Sequence, residues 1–197
     1  TAAPTTTTSG PRPITEQPAT AIWPFVSSDI RFAKPEDAAE SFAKGYIGFT
    51  DPMVGTFQAL TATTGTVAIR PRPDGPTTTI ALSKLADDSW WATGATTQNI
   101  DLQSPKAGET ITSPVTVSGQ STAFEATVNA QVRQDGSTDA LVDTFVMGGA
   151  NGEIGPFSKP IVFNTPTQGH GAIVLRTDSA MDGSVEEANV VRVAFPA

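Results

Sequence analysis

The sequence has no cysteine, which excludes disulfide bridges, thiolate nucleophiles and cysteine-based zinc sites together. It has a single histidine, His170. A multi-histidine metal centre therefore cannot be assembled within one chain, and any Ser-His-Asp triad would have to use that residue. Its surroundings, Thr167-Gln168-Gly169 before it and Gly171 after it, predict a surface turn between strands, so no catalytic base is expected. No stretch approaches the ~18 apolar residues that a membrane-crossing helix requires. Lys and Arg number 12 against 20 Asp and Glu, a net charge of -8. The few cations form no cluster that could follow a phosphate backbone, so nucleic acid is excluded as an expected partner. The acidity is spread along the chain and is a solubility feature.

Threonine, proline and alanine dominate the first 21 residues, with the run Thr5-Thr6-Thr7-Thr8 and the triplet Pro11-Arg12-Pro13. Such a segment buries too little apolar surface to offset its ordering entropy, which predicts a disordered tether over 1–21. Stalks of this composition separate folded domains from a wall or membrane. An extracytoplasmic protein follows as the expectation, secreted or anchored through a segment upstream of Thr1.

A first folded unit is predicted over 22–97. Lys34-Pro35-Glu36-Asp37 opens a helix, because proline suits a first turn and acidic side chains favour the positive end of the helix dipole. Ala38, Ala39, Phe42, Ala43, Tyr46 and Ile47 recur at three- and four-residue spacing and form one apolar stripe, which Gly45 and Gly48 end. Three β-rich runs follow, Gly65 to Arg72, Thr77 to Leu85 and Ser89 to Ala95, separated by Pro73-Asp74-Gly75-Pro76 and by Asp87-Asp88. The expected product is a small α+β domain, a helix laid on an antiparallel meander.

The second unit, 98–197, carries seven predicted strands: 99–103, 110–118, 124–134, 140–147, 156–164, 172–177 and 189–195. That number of short strands with turn signals between them predicts an antiparallel β-sandwich. Alternation is cleanest from Phe124 to Arg133, which predicts one core face and one wet face. Three segments taken in order, Ile100-Asp101-Leu102-Gln103-Ser104-Pro105, Ile111 to Gln120 and Phe124-Glu125-Ala126-Thr127-Val128, resemble the immunoglobulin-like domain of bacterial spore-germination proteins. Gly155-Pro156-Phe157, Ile161-Val162-Phe163 and Ser179 to Ser184 agree with that order. The resemblance implies an immunoglobulin-like sandwich on an exported protein and supplies no active site. Both units together suggest an actinobacterial-type envelope lipoprotein.

Four residues stand out as ligand or interface candidates: Trp90, Trp91, Gln120 and Glu125. Neighbours on a strand point to opposite faces, so one indole should enter the helix-covered core and the other should face outward at the contact between the units. Gln120 and Glu125 belong to a polar stretch, Ser118 to Thr122 and Phe124-Glu125, which reads as a crossover where Gly119 relaxes the backbone and Phe124 plugs the core. The alternative gives this stretch a ligand. Asp135-Gly136 and Asp182-Gly183-Ser184 read as turns, without the spacing of a calcium loop. The adjacent pairs Asp87-Asp88 and Glu186-Glu187 read as solvated loop charges, since neighbours on an extended chain cannot face each other across a cleft. No cofactor and no metal is expected. The expected function is non-catalytic engagement of an envelope protein or cell-wall polymer. The alternatives are an accessory or regulatory role in germination or envelope assembly, and a carboxylate-dependent hydrolase working between the units.

Overall fold

The computed structural model describes residues 12–196. The part of the expected tether that covers 1–11 lies outside them. Gln17 to Ala21, by contrast, belong to the fold: the Gln17 amide donates to the Ala21 carbonyl at 3.1 Å, Ala21 is buried, and the carbonyls of Pro18 and Ala19 both accept from Arg192. Composition misses this because backbone carbonyls can be held by a distant arginine whatever their side chains are.

Helix α1 (Pro35–Phe42) starts where the proline and the acidic first turn place it. It then widens into a π-helical turn over Ala43–Ile47, in which the Gly48 N–H reaches back to the Ala43 carbonyl at 2.9 Å. Gly48 closes the turn with φ at 107°, a conformation glycine adopts without steric cost. Gly45 lies inside the turn instead of ending it, because a Cβ there would meet the Trp23 ring at 3.0 Å. The predicted apolar stripe is buried throughout.

Strands β1 (Met53–Val54), β2 (Gln58–Ala59), β3 (Thr64–Arg70), β4 (Thr78–Lys84) and β5 (Trp90–Thr96) form the expected meander, with β1 and β2 sharing one edge of β3. The C-terminal half contributes β6 (Ile100–Ser104), β7 (Val115–Ala123), β8 (Thr127–Gln134), β9 (Ala140–Met147), β10 (Gly149–Ala150), β11 (Gly155–Ile161), β12 (His170–Asp178) and β13 (Val185–Ala194). Strand β5 meets β13 at Ala95 and Val190, so the meander continues into β13, β12, β8 and β9 as one nine-stranded sheet. A smaller, four-stranded sheet has β7 paired with β6, β10 and β11.

The large sheet is buried on both faces where β12 and β13 cross its middle. Ala172, Val174, Ala188 and Val190 point into a core roofed by α1, where they meet Phe42, Ile47, Val67, Ile69, Ile80 and Leu82. Ile173, Leu175 and Val193, one residue out of phase, point into the sandwich core with Ile100, Val117, Val128, Val132 and Phe157. The period of two along a strand is what divides the two cores. Hydrogen bonding crosses the expected boundary at 97/98 through the β5–β13 contact.

Several details of the sandwich differ from expectation. Ser118 to Thr122 lie within β7, where no loop interrupts the strand. A Cβ on Gly119 would stand 2.0 Å from the Asp101 carbonyl oxygen and 2.9 Å from the Phe157 ring, so this glycine permits close strand approach and relaxes no crossover. Phe124 sits in a short 3-10 turn and is 63% exposed, so it plugs no core. His170 opens β12 and is not a turn residue. The face of β8 opposite the sandwich core is not wet. Gln131 and Arg133 are buried there, with Arg133 donating to the Tyr46 carbonyl and stacking 5.0 Å from the Tyr46 ring.

On the β9–β11 side a lysine links the two strands. The Lys159 Nζ donates to the Phe145 carbonyl on β9 at 2.7 Å, and Pro156 and Pro160 stand on β11 itself.

Candidate functional site

A concavity of about 720 Å³ opens between the two halves of the chain. The β3–β4 turn contributes Pro71, Arg72 and Pro76. The end of β7 and the turn after it contribute Thr122, Ala123 and Phe124, and the β12–β13 turn contributes Ser179 to Asp182 and Ser184. Asn99, Asn151, Gly152, Thr177, Asp178, Glu186 and Glu187 complete it.

Glu187 is the least exposed charged group in this groove, with 4% of its surface accessible. Along β13 it shares the sandwich-facing side with Asn189 and Val193, which carries it inward. Neutral donors hold its carboxylate: the Thr97 hydroxyl, the Asn99 amide at 3.0 and 3.1 Å, and the Thr177 hydroxyl at 3.5 Å. Burial pushes its pKa above the ordinary carboxylate value, and these hydrogen bonds only partly oppose the shift. Its sequence neighbour Glu186 faces away and forms an ion pair with Arg72, so the prediction that adjacent carboxylates diverge holds. The prediction that both are loop charges fails, because both stand on β13.

Asp178 closes β12. Its Oδ2 accepts from Asn129 at 2.7 Å, while its Oδ1 is buried without a hydrogen-bond donor and has the Arg176 Nε at 3.4 Å. Burial raises this acid as well, against the pull of Arg176. Asp182 accepts from the backbone N–H and the hydroxyl of Ser184, at 3.1 and 2.8 Å, and these bonds lower its pKa.

The rim is apolar and exposed: Phe124 at 63% and Met181 at 96%. Phe124 is presented by two successive non-glycine residues in the left-handed region, Glu125 at φ 54° and Ala126 at φ 60°. Asn151, also on the rim, has φ 54°. Such conformations cost of order 1–3 kcal/mol each and gather where a structure holds a surface in one shape.

The four residues singled out from sequence are not brought together. Trp90 lies in the helix-covered core and meets Phe57 edge to face at 4.9 Å. Trp91 faces the other way yet is fully buried: its Nε1 donates to the Ser89 hydroxyl at 2.8 Å, and the Arg31 guanidinium lies 5.0 Å over its ring, held by Asp87 at 3.3 Å. Neither indole therefore offers a surface to a ligand. Gln120 is exposed in the middle of β7, and Glu125 is exposed beside the groove, where it shapes the backbone without lining the cavity. Glu187 went unrecognised because the last strand was expected to begin at Asn189, and with it Asn99 and Thr177, whose place in the site comes from their hydrogen bonds to Glu187. The strand in fact begins at Val185; the alternation from Asn189 back to Glu187 turns Glu187 inward, and an irregularity between Glu187 and Val185 puts Val185 in the helix-side core.

Among the described residues no helix is long and apolar enough to cross a membrane, and no group of three or more acidic or histidine side chains is arranged to hold a metal ion. Neither a curated protein nor a solved structure matches the chain. Residues 99–184 match the family model described as the immunoglobulin-like domain of bacterial spore germination, and the C-terminal half of this chain carries a domain of that family.

Proposed function

We propose that the protein is a non-catalytic binding module of the cell envelope, which engages a protein or wall-polymer partner through the groove between its two halves. The single observation that carries this reading is the pairing of a large open concavity with two exposed apolar side chains, Phe124 and Met181, at its rim. Solvent-exposed phenylalanine and methionine side chains beside a concave polar surface favour contact with a partner. The carboxylates of the groove support a binding role over a hydrolytic one, since Glu186 is engaged by Arg72, Asp182 by Ser184 and Asp178 by Asn129. Export, and anchoring through a segment upstream of Thr1, belong to the same proposal. A role as an accessory in germination or envelope assembly is a second reading, favoured by the family of the C-terminal half.

Sedimentation with insoluble envelope material of a spore-forming bacterium tests the proposal. The parent protein is expected to co-sediment, and a Phe124→Ala/Met181→Ala double variant to remain in the supernatant. Equal sedimentation of the two proteins, or release of soluble fragments from the envelope material, would overturn it.

A further inference from the structure

We propose that Asn151 is the chain's site of spontaneous covalent change, deamidation through a cyclic imide with Gly152, and that the Thr122 hydroxyl holds this reaction back by keeping the Gly152 amide hydrogen bonded. The inference stands apart from the binding role proposed above.

The sequence has five asparagines, and only Asn151 is followed by glycine. The others precede Ile100, Ala130, Thr165 and Val190, whose side chains crowd the backbone nitrogen that must react. In the reaction that nitrogen, on Gly152, gives up its proton and bonds to the side-chain carbonyl carbon of Asn151, while the bond to Nδ2 breaks and ammonia leaves. Water then opens the imide at either carbonyl, which yields aspartate or isoaspartate. One water is consumed and one ammonia released, so no oxidant, metal or enzyme is required. Both residues are exposed to that water.

Local geometry sets the rate. Asn151 and Gly152 both lie in the left-handed region, at φ 54° and 86°, and the Glu153 N–H returns to the Ala150 carbonyl at 3.0 Å, as in a type I′ turn. Two bonds fasten this turn to the end of β7: the Asn151 N–H donates to the Ala123 carbonyl at 3.3 Å, and the Gly152 N–H to the Thr122 hydroxyl oxygen at 3.0 Å. Thr122 keeps only 9% of its surface accessible. Its bond matters most, since it engages the proton whose loss makes the nitrogen a nucleophile. While it lasts, a base in solvent must first displace the hydroxyl, and the 151–152 peptide plane is held from turning towards the asparagine side chain. The rate follows the population of the aligned geometry, so a hydrogen bond of ordinary net strength lowers it about fivefold. Asn151 and Gly152 line the groove with Phe124, so the product adds a carboxylate, and in isoaspartate an extra backbone carbon, to the groove wall.

Incubation of the full chain at neutral pH, followed by peptide mapping with mass spectrometry, tests the proposal, with Ac-Ala-Asn-Gly-Glu-NH2 as the unfolded reference. Asn151 is expected to be the first asparagine to convert, and to convert more slowly than in the peptide. Thr122→Val keeps the shape of the side chain but removes the hydroxyl, and should speed the conversion about fivefold. Thr122→Ser keeps the hydroxyl and should stay near the parent rate. Val67→Ala, in the helix-side core, loosens the fold elsewhere and should leave the rate unchanged. Conversion of another asparagine first, a parent rate equal to that of the peptide, or equal rates for Thr122→Val and Thr122→Ser would each overturn the proposal. So would a Val67→Ala variant that converts as fast as Thr122→Val, since global opening would then set the rate. In the parent itself the Gly152 amide should exchange with solvent deuterium at least about fivefold more slowly than in the peptide. Equal exchange would overturn the proposal whatever the variants do.

Discussion

The two faces of the nine-stranded sheet are covered by different means. On one face, a small β-sheet lays Ile100, Val117, Phe157 and Ile161 against Val128, Val132, Ile173 and Leu175, apolar against apolar except where Glu187 and Asn189 of β13 are buried at one end. On the other, a short helix, a π-helical turn and the segment before them lie across both halves of the chain, and the cover is apolar only at its centre. Its margin is made by three arginines on the C-terminal strands that donate to backbone carbonyls of the N-terminal half: Arg133 to Tyr46, Arg176 to Ile47 at 3.0 Å, and Arg192 to Ala19 at 2.9 Å and Pro18 at 3.2 Å. A helix end exposes carbonyls with no partner of their own, and cations there are favoured by the helix dipole as well as by the hydrogen bonds. A sheet face that carries arginine can thus be an internal surface, provided the layer above it presents oxygen.

The harshest way to break this comparison is to remove one cover. A fragment of 98–197 keeps the sandwich core but exposes Ala172, Val174, Ala188 and Val190 and deprives three arginines of their backbone acceptors in the N-terminal half. Far-ultraviolet circular dichroism is expected to remain all-β, with the denaturant midpoint well below that of the full chain. A fragment as stable as the parent would mean that the helix-side cover contributes nothing. Next in size are the two indoles, one on each side of β5. Both are buried, so Trp90→Ala and Trp91→Ala should each cost roughly 3–5 kcal/mol in urea unfolding. A Trp91 cost near zero would mean that its buried indole contributes nothing to the fold. Arg192→Ala should cost about as much, ~3–5 kcal/mol, because the buried carboxylate of Asp135, which accepts from the guanidinium at 2.7 Å, loses its charge partner.

Smaller effects sharpen the sandwich side. An acid whose folded pKa lies above its unfolded value stabilises the fold when protonated. Its contribution is full below the ordinary value of 4.5 and is lost as pH rises through the raised value. Glu187→Gln removes that loss. Unfolding free energies measured from acidic to neutral pH should show the variant gaining on the parent as pH rises above 4.5. A constant difference across the range would show that Glu187 titrates alike in both states. Smallest of all, Phe124→Ala should change stability by no more than about 0.5 kcal/mol, since the side chain is exposed. A larger loss would place Phe124 in a core after all.

Much of this was legible in the sequence. The helix start at Pro35, the meander, and six of the strand centres in the second half follow from local periodicity and turn residues, and the immunoglobulin-like architecture follows from motifs in order. What was not legible depends on contacts distant in the chain. The polar side of β8 looks solvated because Gln131 and Arg133 are polar, and nothing nearby announces that Tyr46 arrives above them. Phe124 looks like a core residue because it begins an alternating run, but two left-handed residues, Glu125 and Ala126, break the phase and send it outward. Glu187 was lost through a strand boundary set four residues late: alternation reaches back from Asn189 to Glu187, but the irregularity before it hides the true start at Val185.

The lysine that reaches from β11 to the Phe145 carbonyl, and the two prolines of β11, have a consequence for how the molecule meets others. Open strand borders invite further strands, from a second copy or from an extended ligand, by backbone pairing that is blind to side-chain identity. On this side the border is blocked at three points: one carbonyl is occupied by an ammonium, and Pro156 and Pro160 have no amide hydrogen to give. Strand addition along this margin is interrupted at these positions, so a partner's main chain finds fewer free groups to pair with. Recognition is left to side chains, where selectivity can be encoded.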